Sequence, residues 1–212
     1  MMPDLSPGEI RKASSLKMRV NGRTRAEVRF MQALQRQRGI LASKQFAAAG
    51  VNTARRRMGT LAIDITWITD RIALGGGIWN PENMAELARM GITHIIDMQI
   101  EFDDTPLAEP HAIEVLWNAT DDDFQPKAPE LFERGVQFAE QALEREENKL
   151  FVHCAAGVHR AAMMTLAILC SMGWEMGSAM ETISSRRPVV DFADVYVNSV
   201  ENFLQQQVRS GD

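Results

Sequence analysis

Short apolar runs alternate with helix-like segments from residue 61 onward, and this alternation constrains the fold more than any other feature of the sequence. The apolar runs occupy residues 61–68, 71–76, 92–98, 113–119 and 149–154. Helical patterns occupy residues 80–91, 129–149, 160–174, 175–188 and 192–207. The last three apolar runs are expected to be buried strands. Strands separated by helices predict an α/β fold with a central, mostly parallel sheet that is flanked by helices on both faces.

Two of the predicted helices carry clear local signals. Asn80 can cap the first, Pro81 suits its first turn, and Gly91 can end it. The helix predicted at 129–149 has one apolar face, formed by Leu131, Phe132, Val136, Ala139 and Leu143, with Phe138 beside it. Each helix therefore has the pattern expected of a segment that packs against a sheet.

Charge divides the chain into two unlike parts. Residues 1–60 contain 13 Lys and Arg against 3 Asp and Glu, whereas residues 61–212 contain 10 against 25. The first part has few large apolar residues and one plausible helix, at 25–48. We therefore expect a basic N-terminal extension over 1–60, partly helical or disordered, and one globular domain over 61–212.

The basic extension can attract nucleic acid or an anionic membrane surface by charge alone. It contains no recognisable binding module, so specific nucleic-acid recognition is not expected. A second interpretation is that it docks on the acidic part of the same chain. It lacks the continuous apolar stretch of a secretory signal, but its arginines, serines and few acids leave a transit peptide open.

Cysteine content and hydropathy indicate the compartment. Cys154 and Cys170 have neither the spacing of a zinc site nor that of a disulfide framework. We therefore expect a reducing compartment, the cytoplasm, with a thiol free to react. Cys170 lies among apolar neighbours in the helix predicted at 160–174 and is expected to pack in the core. No apolar run reaches the length of a membrane span, so no transmembrane segment is expected.

The stretch KLFVHCAAGVHRAAM, residues 149–163, predicts an anion site. A buried strand ends at Cys154, and a tight loop opens a helix near Arg160, so several backbone N–H groups surround one point at a helix N-terminus. A thiolate there is stabilised by those donors and is nucleophilic at neutral pH. Arg160 adds a planar fork for two phosphate oxygens, and Gly157 lets the loop turn closely. This assembly suits attack of sulfur on phosphorus, with no metal and no organic cofactor.

These residues resemble a known family. The pattern His-Cys-x2-Gly-x2-Arg, matched by His153, Cys154, Gly157 and Arg160, is the signature of cysteine-dependent protein tyrosine phosphatases. Residues 68–98, ITDRIALGGGIWNPENMAELARMGITHIIDM, resemble the start of dual-specificity phosphatase domains, and the resemblance continues to about residue 207. It implies that 61–212 form a dual-specificity phosphatase-like catalytic domain.

The resemblance also implies an activity and a substrate site. The activity is hydrolysis of phosphotyrosine and phosphoserine or phosphothreonine in proteins, through a cysteinyl-phosphate. His153 would orient the loop and favour the thiolate. The backbone from the cysteine to Arg160 would contact phosphate, namely at Ala155, Ala156, Gly157, Val158 and His159. Two alternatives stay open: a non-protein substrate such as a phosphoinositide or phosphoglucan, or a phosphate-dependent binding module with slow turnover.

The family places an acidic proton donor on the loop after the strand that corresponds to 113–119. That loop here reads TDDDFQPKAP and offers three aspartates. Alignment of the following helix without gaps favours Asp122, with Asp121 second and Asp123 third. The neighbouring carboxylates are expected to raise the pKa of the acid and so favour its protonated form.

One position departs from the family pattern. Most members have Ser or Thr after the arginine, and this hydroxyl stabilises the departing thiolate when water cleaves the phosphoenzyme. Ala161 stands there in this chain, as alanine does in the phosphatases of regenerating liver and in a plant glucan phosphatase. Hydrolysis of the intermediate is therefore expected to be slow. His159 is also unusual, and it fits a position at the pocket rim or a purely structural role equally well.

Overall fold

Residues 63–210 are described by the computed structural model of the chain and contain five strands and six α-helices. The basic extension predicted over 1–60, with its helix at 25–48, lies outside the described residues. The strands are β1 (Ile65–Trp67), β2 (Ile72–Gly75), β3 (His94–Asp97), β4 (Glu114–Trp117) and β5 (Leu150–His153). The helices are α1 (Pro81–Arg89), α2 (Thr105–Ala108), α3 (Pro129–Leu143), α4 (Arg160–Ser171), α5 (Met176–Arg186) and α6 (Asp194–Ser210).

The strands form one sheet in the order β1-β2-β5-β3-β4. β1 pairs with β2 in the antiparallel sense, and the other three pairs are parallel. β5 lies in the middle, with Val152 opposite Leu74 on one side and Ile96 on the other. The expected α/β fold with a mostly parallel sheet is therefore confirmed, and the strand that leads to Cys154 is the central one.

Alternation along the strands divides the core into two layers. Successive side chains of β5 point to opposite faces, so Leu150 and Val152 pack in one cluster and Phe151 packs in the other. The larger cluster includes residues of α3, α4, α5 and α6, and the smaller one includes residues of α1 and α2. Helices therefore cover both faces of the sheet, as a sheet that is parallel in its centre requires.

Helix α4 is the innermost helix of the fold. Each residue from 160 to 169 is buried, so this helix is enclosed on all sides rather than along one stripe. It begins directly after the loop at the end of β5. A rigid strand and a rigid, enclosed helix therefore hold the two ends of that loop.

Local end signals predicted α1 correctly. The Asn80 side chain accepts a hydrogen bond from the backbone N–H of Asn83 at 2.8 Å, and Pro81 is the first residue of the helix. Gly91 follows the helix with a φ of 83°, a left-handed conformation that favours glycine. These signals succeed because each depends on contacts within one helical turn.

The strand predicted within 113–119 is confirmed as β4, but the prediction that it is buried was wrong. β4 is an edge strand, on which Glu114 is exposed and Trp117 keeps 47% of its surface exposed. The sequence also gave no indication of α2 or of the 3₁₀ turn Glu109–His111 between β3 and β4. An apolar edge strand and an apolar central strand look alike in the sequence, so only the tertiary structure shows that β4 lies at the edge. The two short helical segments between β3 and β4 were also visible only in the structure.

The remaining helices match their predictions with shifted ends. The helix expected over 129–149 ends at Leu143, before the charged segment that leads into β5. Cys170 is partly buried against the larger core cluster, as expected, and both cysteines are free thiols. Within residues 63–210 no helix is both long and apolar enough to cross a membrane.

We expect Phe132→Ala to destabilise the domain by about 3–5 kcal/mol, because it removes a fully buried ring and leaves a cavity in the larger core cluster. The ring packs against Phe203 of α6 with centroids 5.6 Å apart. Urea unfolding followed by circular dichroism measures this loss. Phe102→Ala is the matched control, because that ring is 42% exposed, and its loss should be less than about 1 kcal/mol. Equal losses would contradict the position of α3 in the core.

Candidate active site

The peptide carbonyls of the loop between β5 and α4 accept hydrogen bonds from residues outside the loop. The carbonyl oxygen of Ala155 accepts a hydrogen bond from Gly77 N at 3.3 Å, and that of Val158 accepts one from Asp191 N at 3.2 Å. The carbonyls of Ala156 and Gly157 accept hydrogen bonds from a side chain described below. Because these oxygens are held on the outside, the peptide N–H groups of the loop are left available to an anion.

Gly157 is required at its position for two reasons. Its φ is 61°, in the left-handed region. A Cβ atom there would also lie 2.5 Å from the backbone of Gly75 and from Nη2 of Arg187. The loop therefore approaches β2 too closely for any side chain, which explains the glycine in the sequence motif.

Arg187 holds the loop in place through hydrogen bonds to two of its carbonyls, and the sequence analysis did not predict this role. This residue follows α5 and is 5% exposed. Its Nε donates to the carbonyl of Gly157 at 2.8 Å, and its Nη2 donates to the carbonyl of Ala156 at 3.2 Å. Its two Nη atoms also donate to both oxygens of Asp64, at 2.8 and 2.7 Å. The segment SSRRP gives no signal for this role, because the contacts join residues 30 and 123 positions apart.

Arg160 is buried at the start of α4, with one edge of its guanidinium paired. Nη1 and Nη2 donate to the two oxygens of Glu101 at 2.9 and 3.0 Å, and Nη1 also donates to the carbonyl of Thr120 at 3.1 Å. Nε is buried, and no atom of residues 63–210 accepts a hydrogen bond from it. Burial would lower the pKa of Arg160, but the hydrogen bond to Glu101 and the charge of Cys154 outweigh it and raise that pKa.

Glu101 is a second residue that sequence reasoning did not find. Burial would raise its pKa, but the hydrogen bonds and charge of Arg160 outweigh that effect and lower it. The carboxylate is therefore ionised and fixes one edge of the guanidinium. Residues 99–103, which carry it, follow β3 in a segment with no helix or strand pattern.

Cys154 is the first residue after the central strand and is 2% exposed. Its N–H donates to the carbonyl of Gly75 at 3.4 Å, which aligns the start of the loop with β2. The structure thus brings the predicted nucleophile and Arg160 to the two ends of one short loop.

His153 lies beneath the loop in a buried cluster. Its ring stacks on Phe151 at 5.2 Å, and its Nε2 lies 2.9 Å from Oδ2 of Asp104 and 3.7 Å from Oδ1 of Asp97. All three polar side chains are fully buried. Burial raises the pKa of Asp97 to about 7, against the opposing effect of the His153 charge. These contacts fix the residue before the nucleophile, and sequence reasoning anticipated neither aspartate.

Of the three candidate acids, the structure brings Asp122 to the loop. Its Oδ2 lies 3.0 Å from Nδ1 of His159, and its Oδ1 accepts a hydrogen bond from the Tyr196 hydroxyl at 3.0 Å. Asp123 instead pairs with Lys127 at 2.6 Å, and Asp121 is exposed. Asp122, which the ungapped alignment placed first, is thus the candidate that contacts the loop through His159.

The expectation that neighbouring carboxylates raise the pKa of the acid was wrong. Burial does raise the pKa of Asp122, but the hydrogen bond and charge of His159, together with the Tyr196 hydroxyl, outweigh it and lower the pKa. The pKa of Asp123 is also lowered, because its pairing with Lys127 outweighs its burial. The pKa values of Asp122 and Asp123 therefore respond to different partners, His159 with Tyr196 for the first and Lys127 for the second.

Helix α6 holds the loop that carries Asp122, hereafter the acid loop (residues 119–128). Its Tyr196 hydroxyl accepts a hydrogen bond from Phe124 N at 2.9 Å, and its Ser199 Oγ accepts one from Lys127 N at 3.1 Å. The Phe124 ring stacks on Tyr196 and meets His159 edge-on at 5.1 Å. The position of Asp122 therefore depends on a helix more than 70 residues further along the chain.

Ala161 is fully buried in the first turn of α4. Its side chain offers no hydroxyl toward the loop, whereas its carbonyl accepts a hydrogen bond from Thr165 Oγ1 at 2.8 Å. The residues of the loop itself differ in exposure: Ala156 is exposed, Ala155 and Val158 are half-buried, and Gly157 is buried.

Curated proteins and solved structures resemble this chain. Protein phosphatase Slingshot of Drosophila melanogaster is 27% identical over 139 residues, 65% of this chain and 13% of that protein. A probable rhodanese domain-containing dual specificity protein phosphatase of Dictyostelium discoideum is 33% identical over 96 residues, 44% of this chain and 19% of that protein. The chain thus spans less than a fifth of the length of these two relatives.

The fold is also found in solved phosphatase structures. The crystal structure of PTPMT1 in complex with PI(5)P has a TM-score of 0.63 and 19% identity, and the alignment covers 70% of this chain and 99% of that one. A variant of human DUSP28 has a TM-score of 0.59 and 18% identity, with 71% and 100% covered.

A family model supplies the assignment itself. The model described as dual specificity phosphatase, catalytic domain, matches residues 79–206, which include the loop, Arg160, the acid loop and most of α6. With the geometry of the loop and these resemblances in agreement, the chain belongs to the dual-specificity phosphatase catalytic-domain family.

Proposed function

We propose that this protein is a dual-specificity protein phosphatase that hydrolyses phosphomonoesters through a cysteinyl-phosphate. The observation that carries the proposal is the unpaired edge of Arg160. Glu101 and Thr120 occupy one edge of the guanidinium, whereas the buried Nε has no hydrogen-bond partner within residues 63–210. A buried donor without a partner is costly, and a phosphate oxygen can supply the missing acceptor.

The first chemical step uses the two ends of the loop. Sγ of Cys154 forms a bond to phosphorus, and the bond between phosphorus and the leaving oxygen breaks with its electron pair on oxygen. Arg160 and the loop N–H groups at 155–159 bind the phosphoryl oxygens, where negative charge is concentrated. Asp122 supplies the proton that the leaving oxygen needs.

The second step returns the enzyme to its starting state. Water attacks phosphorus, the S–P bond breaks with its electron pair on Sγ, and Asp122 accepts a proton from the water. Ala161 offers no hydroxyl to stabilise the departing thiolate, so this step is the slow one. Because the phosphoenzyme persists, phosphate-dependent binding of a partner is the alternative function, and kinetics separates the two.

Charge at the site favours a phosphoprotein over a substrate with several phosphate groups. The carboxylate of Glu101 contacts Arg160, and those of Asp122 and Asp191 contact His159. Additional phosphates on a ligand would be repelled by these carboxylates, whereas a phosphorylated side chain carries one phosphoryl group. Phosphoinositides and phosphoglucans are the alternative substrates. We propose a cytoplasmic location, since a thiol nucleophile persists in a reducing compartment.

We expect Cys154→Ser to abolish turnover and to keep tungstate binding, because it removes the nucleophile and leaves the anion loop. The assay is a panel of phosphopeptides, phosphoinositides and phosphoglucan without divalent metal. Cys170→Ser is the matched control, because that thiol lies in the last turn of α4, at the end away from the loop, and it should retain activity. A loss to a few per cent of wild-type activity corresponds to a rise of about 2 kcal/mol in the activation barrier. Activity of Cys154→Ser above that level would refute the cysteinyl-phosphate route.

We expect Asp122→Asn to lower kcat/KM for phenyl phosphate roughly 100-fold or more, because a poor leaving group needs a proton. The loss with p-nitrophenyl phosphate should be less than about 10-fold, since that group leaves without full protonation. Asp121→Asn is the matched control in the adjacent exposed position. A leaving-group dependence in Asp121→Asn and none in Asp122→Asn would transfer the acid to Asp121.

We expect a stopped-flow trace with p-nitrophenyl phosphate to show a burst close to one equivalent of enzyme, followed by a slow steady state. Ala161→Ser should raise the steady-state rate about 3- to 30-fold, because a hydroxyl can stabilise the departing thiolate. Ala162→Ser places the same hydroxyl on the next buried residue of α4 and should give no gain. Absence of a burst, with no acceleration by Ala161→Ser, would show that phosphoenzyme formation limits turnover.

A further inference from the structure

The His159 side chain contacts a carboxylate through each of its ring nitrogens. Nδ1 lies 3.0 Å from Oδ2 of Asp122, and Nε2 lies 3.3 Å from Oδ2 of Asp191. A neutral imidazole has one donor and one acceptor nitrogen, so it can donate to only one of two ionised carboxylates. The imidazolium donates to both. Two carboxylates in contact with one imidazole therefore favour the protonated, cationic form of His159.

The surroundings of His159 support the charged form. Asp122 faces it from the acid loop, Asp191 from the segment before α6, and Tyr196 from α6, with ring centroids 6.4 Å apart. Phe124 covers the ring edge-on, and the cation of Arg160 is the next residue in the chain. Burial would lower the pKa of His159, but the hydrogen bonds and charges of the two aspartates outweigh it and raise that pKa.

This arrangement poses a chemical problem for the first step. The leaving oxygen requires a proton, whereas Asp122 is held ionised by His159 and by the Tyr196 hydroxyl. A proton donor at neutral pH must therefore draw its proton from a neighbour. His159 is the neighbour that holds one, at hydrogen-bond distance from the carboxylate.

Resting on the proposed function, we propose that His159 and Asp122 act as one proton-donating pair, in which His159 stores the proton that Asp122 delivers to the leaving oxygen. His159 is a positioning and proton-storing residue that acts through Asp122, and it does not itself touch the reacting atoms. An ionised Asp122 alone has no proton to give. Paired with His159, it can supply the proton that the reaction requires.

The proton balance closes over one turnover. As the bond from phosphorus to the leaving oxygen breaks, that oxygen takes a proton from Asp122, and Asp122 takes the Nδ1 proton of His159, which becomes neutral. When water attacks the phosphoenzyme, its proton passes to Asp122 and then to Nδ1. The imidazolium and the carboxylate are restored, and the net reaction consumes one water molecule.

Asp191 is a solvent-exposed carboxylate that contacts the other ring nitrogen of His159. Its side chain is 58% exposed, and its backbone N–H is bonded to the carbonyl of Val158 in the loop. The carboxylate therefore has a fixed position beside Nε2, where it orients the ring and favours the imidazolium. Removal of its charge should weaken the proton store without removing it.

The test is the pH dependence of kcat/KM for wild type and His159→Gln, with phenyl phosphate and p-nitrophenyl phosphate as substrates. The pair loses its proton as pH rises through the raised pKa of His159, so wild-type activity should fall only above that value. In His159→Gln, Asp122 must hold the proton alone, and the alkaline limb should move to lower pH by about one unit or more. The loss at pH 7 should be roughly 10- to 100-fold with phenyl phosphate and much smaller with p-nitrophenyl phosphate.

Two further variants and one binding measurement make the outcome specific. Asp191→Asn should shift the alkaline limb in the same direction by a smaller amount. His111→Gln, the same change on the 3₁₀ turn, should leave the profile unchanged. Tungstate binding by each variant shows whether the anion loop is intact.

Equal losses with both substrates and an unshifted limb in His159→Gln would overturn the proton-storing role. The proposed function would then still stand, provided that Cys154→Ser is inactive and Asp122→Asn keeps its leaving-group dependence. If Asp122→Asn lacks that dependence, the role of Asp122 as acid fails together with the pair.

Discussion

The site depends on keeping one cationic guanidinium buried at the start of an enclosed helix. An isolated buried charge is strongly unfavourable, so Arg160 requires a partner before any substrate arrives. Glu101 supplies that partner along one edge only. In the proposed reaction the phosphate would bind at the other edge, so the ion pair with Glu101 and the proposed substrate contact use different edges of one planar group.

A second arginine serves the same loop in a different way. Arg187 is saturated by Asp64 and by two loop carbonyls, so it contributes structure and has no free edge for a ligand. By fixing those carbonyls outside, it leaves the loop N–H groups for the anion, and Gly157 permits the close approach that this requires. The two arginines therefore have different roles: Arg187 holds the loop backbone, and Arg160 is the residue proposed to bind phosphate.

The proton chemistry depends on contacts between distant segments. The acid loop is fixed by Tyr196 and Ser199 of α6, and His159 joins it to the anion loop. The segment proposed to donate the proton is thus linked to the segment proposed to bind phosphate through the residue that immediately precedes Arg160. A change in the packing of α6 should affect the acid and leave the nucleophile in place.

The sequence by itself determined the parts of the protein that lie within one turn or one loop. The sequence alone singled out Cys154, Gly157 and Arg160 as site candidates, because a strand, a six-residue spacing and a helix N-terminus define their geometry locally, and the cap at Asn80 follows the same logic. Only the tertiary structure revealed Glu101 and Arg187, whose contacts to the loop span 59 and 30 positions. It also placed β4 at the sheet edge and turned Asp122 toward His159, which reversed the expected direction of its pKa. Hydrogen bonds and burial depend on which segments of the chain pack against one another, and a local sequence pattern does not specify that packing.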